Sequence, residues 1–107
     1  MRKINHFGVP TSVKQDGETY AEGMKLFLTD FTKSPNKIEF LRFEEGSPMP
    51  ELLQKVAHIA YEVPSLKEAM LNKEILIEPF DVSEELTCAF IVEEGIPIEL
   101  MEFKNNY

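Results

Sequence analysis

Cysteine is almost missing from the chain: of 107 residues only Cys88 carries a thiol, so no disulfide can close within it. Its neighbours in Leu-Thr-Cys-Ala-Phe describe a small buried hydrophobe rather than an activated nucleophile. Positive charge is scarce as well. Eleven Lys and Arg stand against nineteen Asp and Glu, a net charge of −8 with the histidines neutral, and such a field repels phosphate backbones and anionic headgroups. Nucleic acid and membrane surfaces are therefore poor partners, and a small molecule is the expected ligand. Nowhere do 18 apolar residues run together, and the basic start Met-Arg-Lys-Ile-Asn-His leads into no long apolar stretch. The expectation is a chain with neither signal peptide nor membrane span, working in a reducing cytoplasm.

What is present suits a folded protein. Apolar residues make up 43% and charged residues 28%, an ordinary globular balance, and the length has room for one domain over 1–107. Ile4 to Val9 reads as a first strand stopped by Pro10. Thr11 to Glu22 is polar, marked by the Asp16-Gly17 turn, with no apolar 3.6-residue period, so no long helix belongs there. Met24 to Phe31 and Lys37 to Phe43 read as two strands of a hairpin around Lys-Ser-Pro-Asn. Gly46, Pro48 and Pro50 form a central linker. Val56 to Val63 is a strand ended by Pro64. Ser65, followed by an acid three residues on, opens a capping-box helix to about Asn72. Glu74 to Val82 (bent at Pro79), Leu86 to Glu93, and Pro97 to Phe103 after the Gly95 turn read as strands, and residues 104–107 as a frayed tail.

The chain also repeats itself, with a first module over 1–46 and a second over 54–104. His6-Phe-Gly-Val recurs as His58-Ile-Ala-Tyr, Ile38-Glu-Phe-Leu-Arg-Phe43 as Ile98-Glu-Leu-Met-Glu-Phe103, and Leu26 to Asp30 echoes Ala89 to Glu93. The offset is 58 − 6 = 52 for the histidines and 99 − 39 = 60 for the glutamates. The surplus of eight matches the length of the Ser65–Asn72 helix, which predicts that the first half has lost or shortened its own.

Strand parity shows what the four marked residues share. Alternate side chains of a strand face the same way, so Glu39 lies with Leu41 and Phe43, Glu99 with Met101 and Phe103, His6 with Ile4 and Gly8, and His58 with Val56 and Ala60. Each is a polar group set into a largely apolar strand. Burying a polar group without a partner costs roughly 1–3 kcal/mol, and a charge costs more. Taken singly, a histidine near a strand end is ordinarily packed or solvent-facing, and an Ile-Glu-Leu strand can simply alternate on an amphipathic sheet. These are the only two histidines in the chain, however, and both occupy repeat-equivalent strands. One divalent cation would satisfy His6, His58, Glu39 and Glu99 together, and the set suits zinc, nickel, cobalt, iron or manganese without choosing among them.

These residues resemble the vicinal oxygen chelate superfamily, which includes glyoxalase, methylmalonyl-CoA epimerase, extradiol dioxygenases and the bleomycin and fosfomycin resistance proteins. The likeness covers nearly the whole chain. It implies an α+β fold of two βαβββ modules, the first with a reduced or missing helix, whose sheets curl around a metal cleft. It assigns His6 and His58 to the first-strand ligands and Glu39 and Glu99 to the last-strand ligands. Two histidines with two glutamates are most like glyoxalase; the dioxygenases use two histidines and one carboxylate, and the bleomycin binders hold no metal. The implied activity is that of a lyase or isomerase acting on a small oxygen-chelating substrate through an enediolate or enolate, with Glu99 and Glu39 moving the proton. The alternative on the same fold is a non-catalytic protein that sequesters a small molecule. Related proteins often pair, so a homodimer is expected. The sequence is shorter than typical members and shows no basic cluster for glutathione or CoA.

Overall fold

The computed structural model describes residues 1–104; of the predicted frayed tail, residues 105–107 lie outside the described part. The described residues are mostly sheet, with eight strands and two short helices. It divides into two compact units, residues 6–58, and residues 1–5 with 59 onward.

In the first unit, β1 (Lys3–Pro10) runs parallel to β4 (Ile38–Phe43), with Phe7 level with Ile38, Gly8 with Glu39 and Pro10 with Leu41. On the other side of β4 lies β3 (Leu26–Leu28), antiparallel, and beyond it β2 (Thr19–Ala21). The predicted hairpin is thus present, but its first strand is shorter than Met24 to Phe31. Residues 22–24 and 31–33 instead form single 3₁₀ turns. The second turn has a local cause: the Asp30 carboxylate accepts from the Thr32 N–H at 2.9 Å and the Thr32 hydroxyl at 2.6 Å, drawing the chain out of the ladder. Strand β2 had no signal in the polar 11–22 segment. Residues 11–18 carry no helix.

In the second unit, β5 (His58–Glu62), whose first residue His58 still belongs to the first unit, runs parallel to β8 (Ile96–Phe103), with Ala60 level with Glu99. Next come β7 (Leu86–Glu93) and β6 (Glu74–Asp81), each antiparallel to its neighbour. The β7–β8 turn places Glu94 and Gly95 at φ of 53° and 79°, the two positive values a tight hairpin turn needs. Strand β6 shifts register between Ile77 and Phe80, where Pro79 has no N–H to give. Val63, Leu66, Ala89, Ile91, Ile98 and Leu100 form the main apolar cluster, and Cys88 packs with Ala60 and Met101, as its context predicts.

The helix predicted from Ser65 is α2 (Leu66–Ala69), preceded by an unpredicted helix, α1 (Glu51–Lys55). Ser65 Oγ accepts from the Glu68 N–H at 3.2 Å, so the cap is where the sequence puts it. The helix stops short of Asn72 because that residue takes a positive φ of 61°, which asparagine tolerates well.

The two units repeat the same registers. Gly8 faces Glu39 as Ala60 faces Glu99, and Leu26 faces Phe43 as Leu86 faces Phe103. The second correspondence corrects the sequence comparison: Leu26 answers to Leu86, not to Ala89. Apolar runs of similar composition align by eye at several offsets, and only the ladder selects one.

Candidate metal centre

His6 lies within β1 and His58 opens β5, and both are only 3% exposed. Gly8 is level with Glu39 across the parallel ladder, so the two-residue period brings His6 and Glu39 to one face. His6 Nε2 stands 3.6 Å from Glu39 Oε1, longer than a hydrogen bond. His58 arrives over Gly8. A Cβ at that glycine would overlap the imidazole ring, so the backbone hydrogen is what admits it. The two imidazoles stand edge to face with centroids 5.9 Å apart.

Each of His6, Glu39 and His58 offers a ligand atom within 4.8 Å of the other two. Three atoms so close leave a point within about 2.8 Å of all of them, against roughly 2.0–2.2 Å for zinc bonds to nitrogen and oxygen. Two buried imidazoles and a carboxylate that is 18% exposed are a donor set for a first-row divalent cation. The group fits a metal ion. Arg42 is not a competing partner for Glu39. It lies on the opposite face of β4, over Phe27 and in a two-pronged ion pair with Glu18 at 2.7 and 2.9 Å. That guanidinium holds the Glu18 carboxyl down at about 2.

The chain shares the fold of a hypothetical protein from Bacillus halodurans C-125. The two align with a TM-score of 0.67 over 99% of this chain and 97% of the other, at 19% identity; a likeness at that level is one of fold and carries no activity. No family model and no curated protein matches the sequence.

The structure therefore gathers three of the four sequence-predicted ligands. Glu99 belongs to the other unit, in β8, between Ala60 of β5 and Phe90 of β7. Tyr61 packs against the apolar cluster, with the Arg2 guanidinium 5.1 Å from its ring centre, in keeping with its parity opposite to His58. Met101 is buried with Ala60 and Cys88, and Met70 packs against the main apolar cluster.

Two residues at the centre escaped the sequence. Phe31 stacks on His6 with ring centres 4.3 Å apart and planes within 18°, held there by the Asp30-capped turn. Gly8 makes room for His58, and a glycine inside a strand is a readable sign of close approach. The stacking of Phe31 had no signal, because it depends on where one 3₁₀ turn sets a ring.

Proposed function

We propose that this protein is a metal-dependent lyase or isomerase of the glyoxalase type, built on two βαβββ-like modules with the first helix missing. The observation that carries the reading is the convergence of His6, Glu39 and His58 from β1, β4 and β5. The repeated first-to-last parallel pairing of each unit supports the modular part. In this reading His6, Glu39 and His58 hold a divalent cation, with zinc, nickel, cobalt, iron and manganese as candidates, and Glu99 is assigned the fourth ligand role by the family resemblance. A cation held there would supply Lewis-acid polarisation of substrate oxygens, acidifying the neighbouring C–H.

The protein's own groups do the rest. The buried imidazoles, one stacked on Phe31 and the other admitted by the gap at Gly8, present ring nitrogens as donors. Glu39 takes and returns the proton next to the carbonyl as general base and acid, a role the family resemblance also gives to Glu99.

The test is metal analysis of protein purified without an affinity tag, followed by hemithioacetal and 2-substituted acyl-thioester substrates. Stoichiometric metal with turnover that Glu99→Gln abolishes is the expected result. A protein that binds ligand with neither metal nor turnover would be the sequestering alternative. The observed two-histidine, one-carboxylate triad favours one further reading, an iron(II) oxygenase, distinguished by oxygen consumption with a catechol.

A further inference from the structure

The strands that carry the centre continue past it. Pro10 follows His6 and Gly8 on one face of β1. Leu41 and Phe43 follow Glu39 on the same face of β4, because Gly8 is level with Glu39 and Pro10 with Leu41. With Thr11, Ser12, Gln54 and Lys55 these residues line a groove of about 380 Å³, within the range of small-molecule sites, roughly 300–1,000 Å³. Its floor is apolar. At about 3.3 Å per residue, Leu41 stands roughly 7 Å and Phe43 roughly 13 Å beyond Glu39 along the strand.

We propose that this groove is the tail subsite of the metal centre. A ligand whose paired oxygens sit at His6, Glu39 and His58 lays a neutral, unbranched apolar tail over Pro10, Leu41 and Phe43. This rests on the metal-centre reading and specifies its substrate class. The floor offers no partner to a charged tail. Lys55, the cation at the rim, is engaged with Glu51 at 2.8 Å, and the net charge of −8 repels a phosphorylated carrier. An aliphatic tail satisfies all three conditions.

The test uses the full chain loaded with cobalt and a series of unbranched hydroxamates from acetyl to decanoyl, which share one two-oxygen head. Affinity, read from the cobalt visible band, rises about fourfold per methylene in the middle of the series and levels off once the tail passes Phe43. Phe43→Ala flattens that rise and leaves acetohydroxamate affinity and the cobalt spectrum unchanged. In the zinc-loaded parent protein, amide signals of Thr11, Ser12 and residues 41–43 move with the decanoyl probe and not with the acetyl probe, a readout that needs no substitution. Equal affinity along the series, or no such signals, in a protein that binds the metal stoichiometrically overturns the tail subsite and leaves the metal centre standing. Failure to bind cobalt overturns both.

Discussion

At the scale of single residues, the centre depends on three ligands and on two neighbours that ligate nothing. His6→Ala and His58→Ala are expected to abolish stoichiometric cobalt binding, measured by titration of the visible band, with the circular dichroism of the sheet retained. Gly8→Ala should do the same without removing a ligand, since its methyl group would occupy the volume of the His58 ring. A Gly8→Ala protein that binds cobalt normally would sink that account. Phe31→Ala leaves all three donors in place and frees one face of His6. Metal affinity should fall roughly 10- to 100-fold, the scale known for groups that orient metal-bound histidines. Of these residues, His6, Glu39 and His58 were legible because polar groups recur at matched places in apolar strands. Phe31 was not, because its role is a contact and not a pattern.

At the scale of elements, local chemistry and ladder geometry divide the outcome. Ser65 caps α2 through the Glu68 N–H, so Ser65→Ala should cost about 1 kcal/mol in urea unfolding, while Ser65→Thr keeps most of it. The cap, the Gly95 turn and the bend at Pro79 could be read from residue types alone, since each follows from a hydroxyl, a missing Cβ or a missing N–H. Strand β2 could not, because Thr19–Ala21 is too short and too exposed to show a two-residue period. The first hairpin strand was read too long for a related reason: Met24 and Phe31 are apolar, but the capping geometry of Asp30 and the positive φ of Lys25 turn the chain before their apolar character can place them in the ladder.

At the scale of the whole molecule, acid sensitivity and association follow from charge and size. Glu93 is bound by Arg2 at 2.8 Å and Lys73 at 2.7 Å, and these cations hold its carboxyl at about 2. Glu18 is held at about 2 by Arg42. Both values lie below the ordinary 4.5, so the unfolded chain binds protons first. The stability they contribute is present above about pH 4.5 and is lost as pH falls toward about 2. Urea midpoints for the parent should therefore drop between pH 5 and 2.5, and Glu93→Gln should flatten that drop; an equal drop in both would show that Glu93 contributes nothing to it. We also propose that the 12.3 kDa chain pairs with itself, so that sedimentation at micromolar concentration gives about twice the chain mass, with burial of apolar side chains such as Leu71 and Val82 as the gain. Among the described residues no helix is long and apolar enough to cross a membrane.

The sequence by itself determined the alternation of short strands, the capped helix, the turn positions and the four polar residues set against apolar neighbours. Each of these is written in residue type and spacing, because periodicity and capping are local. The tertiary structure alone decided which registers the strands adopt, that Leu26 answers to Leu86, that Phe31 covers His6, and that the missing side chain at Gly8 makes the space for His58. Those facts arise from contacts between residues far apart in the chain, and no local preference encodes how two distant strands slide into register.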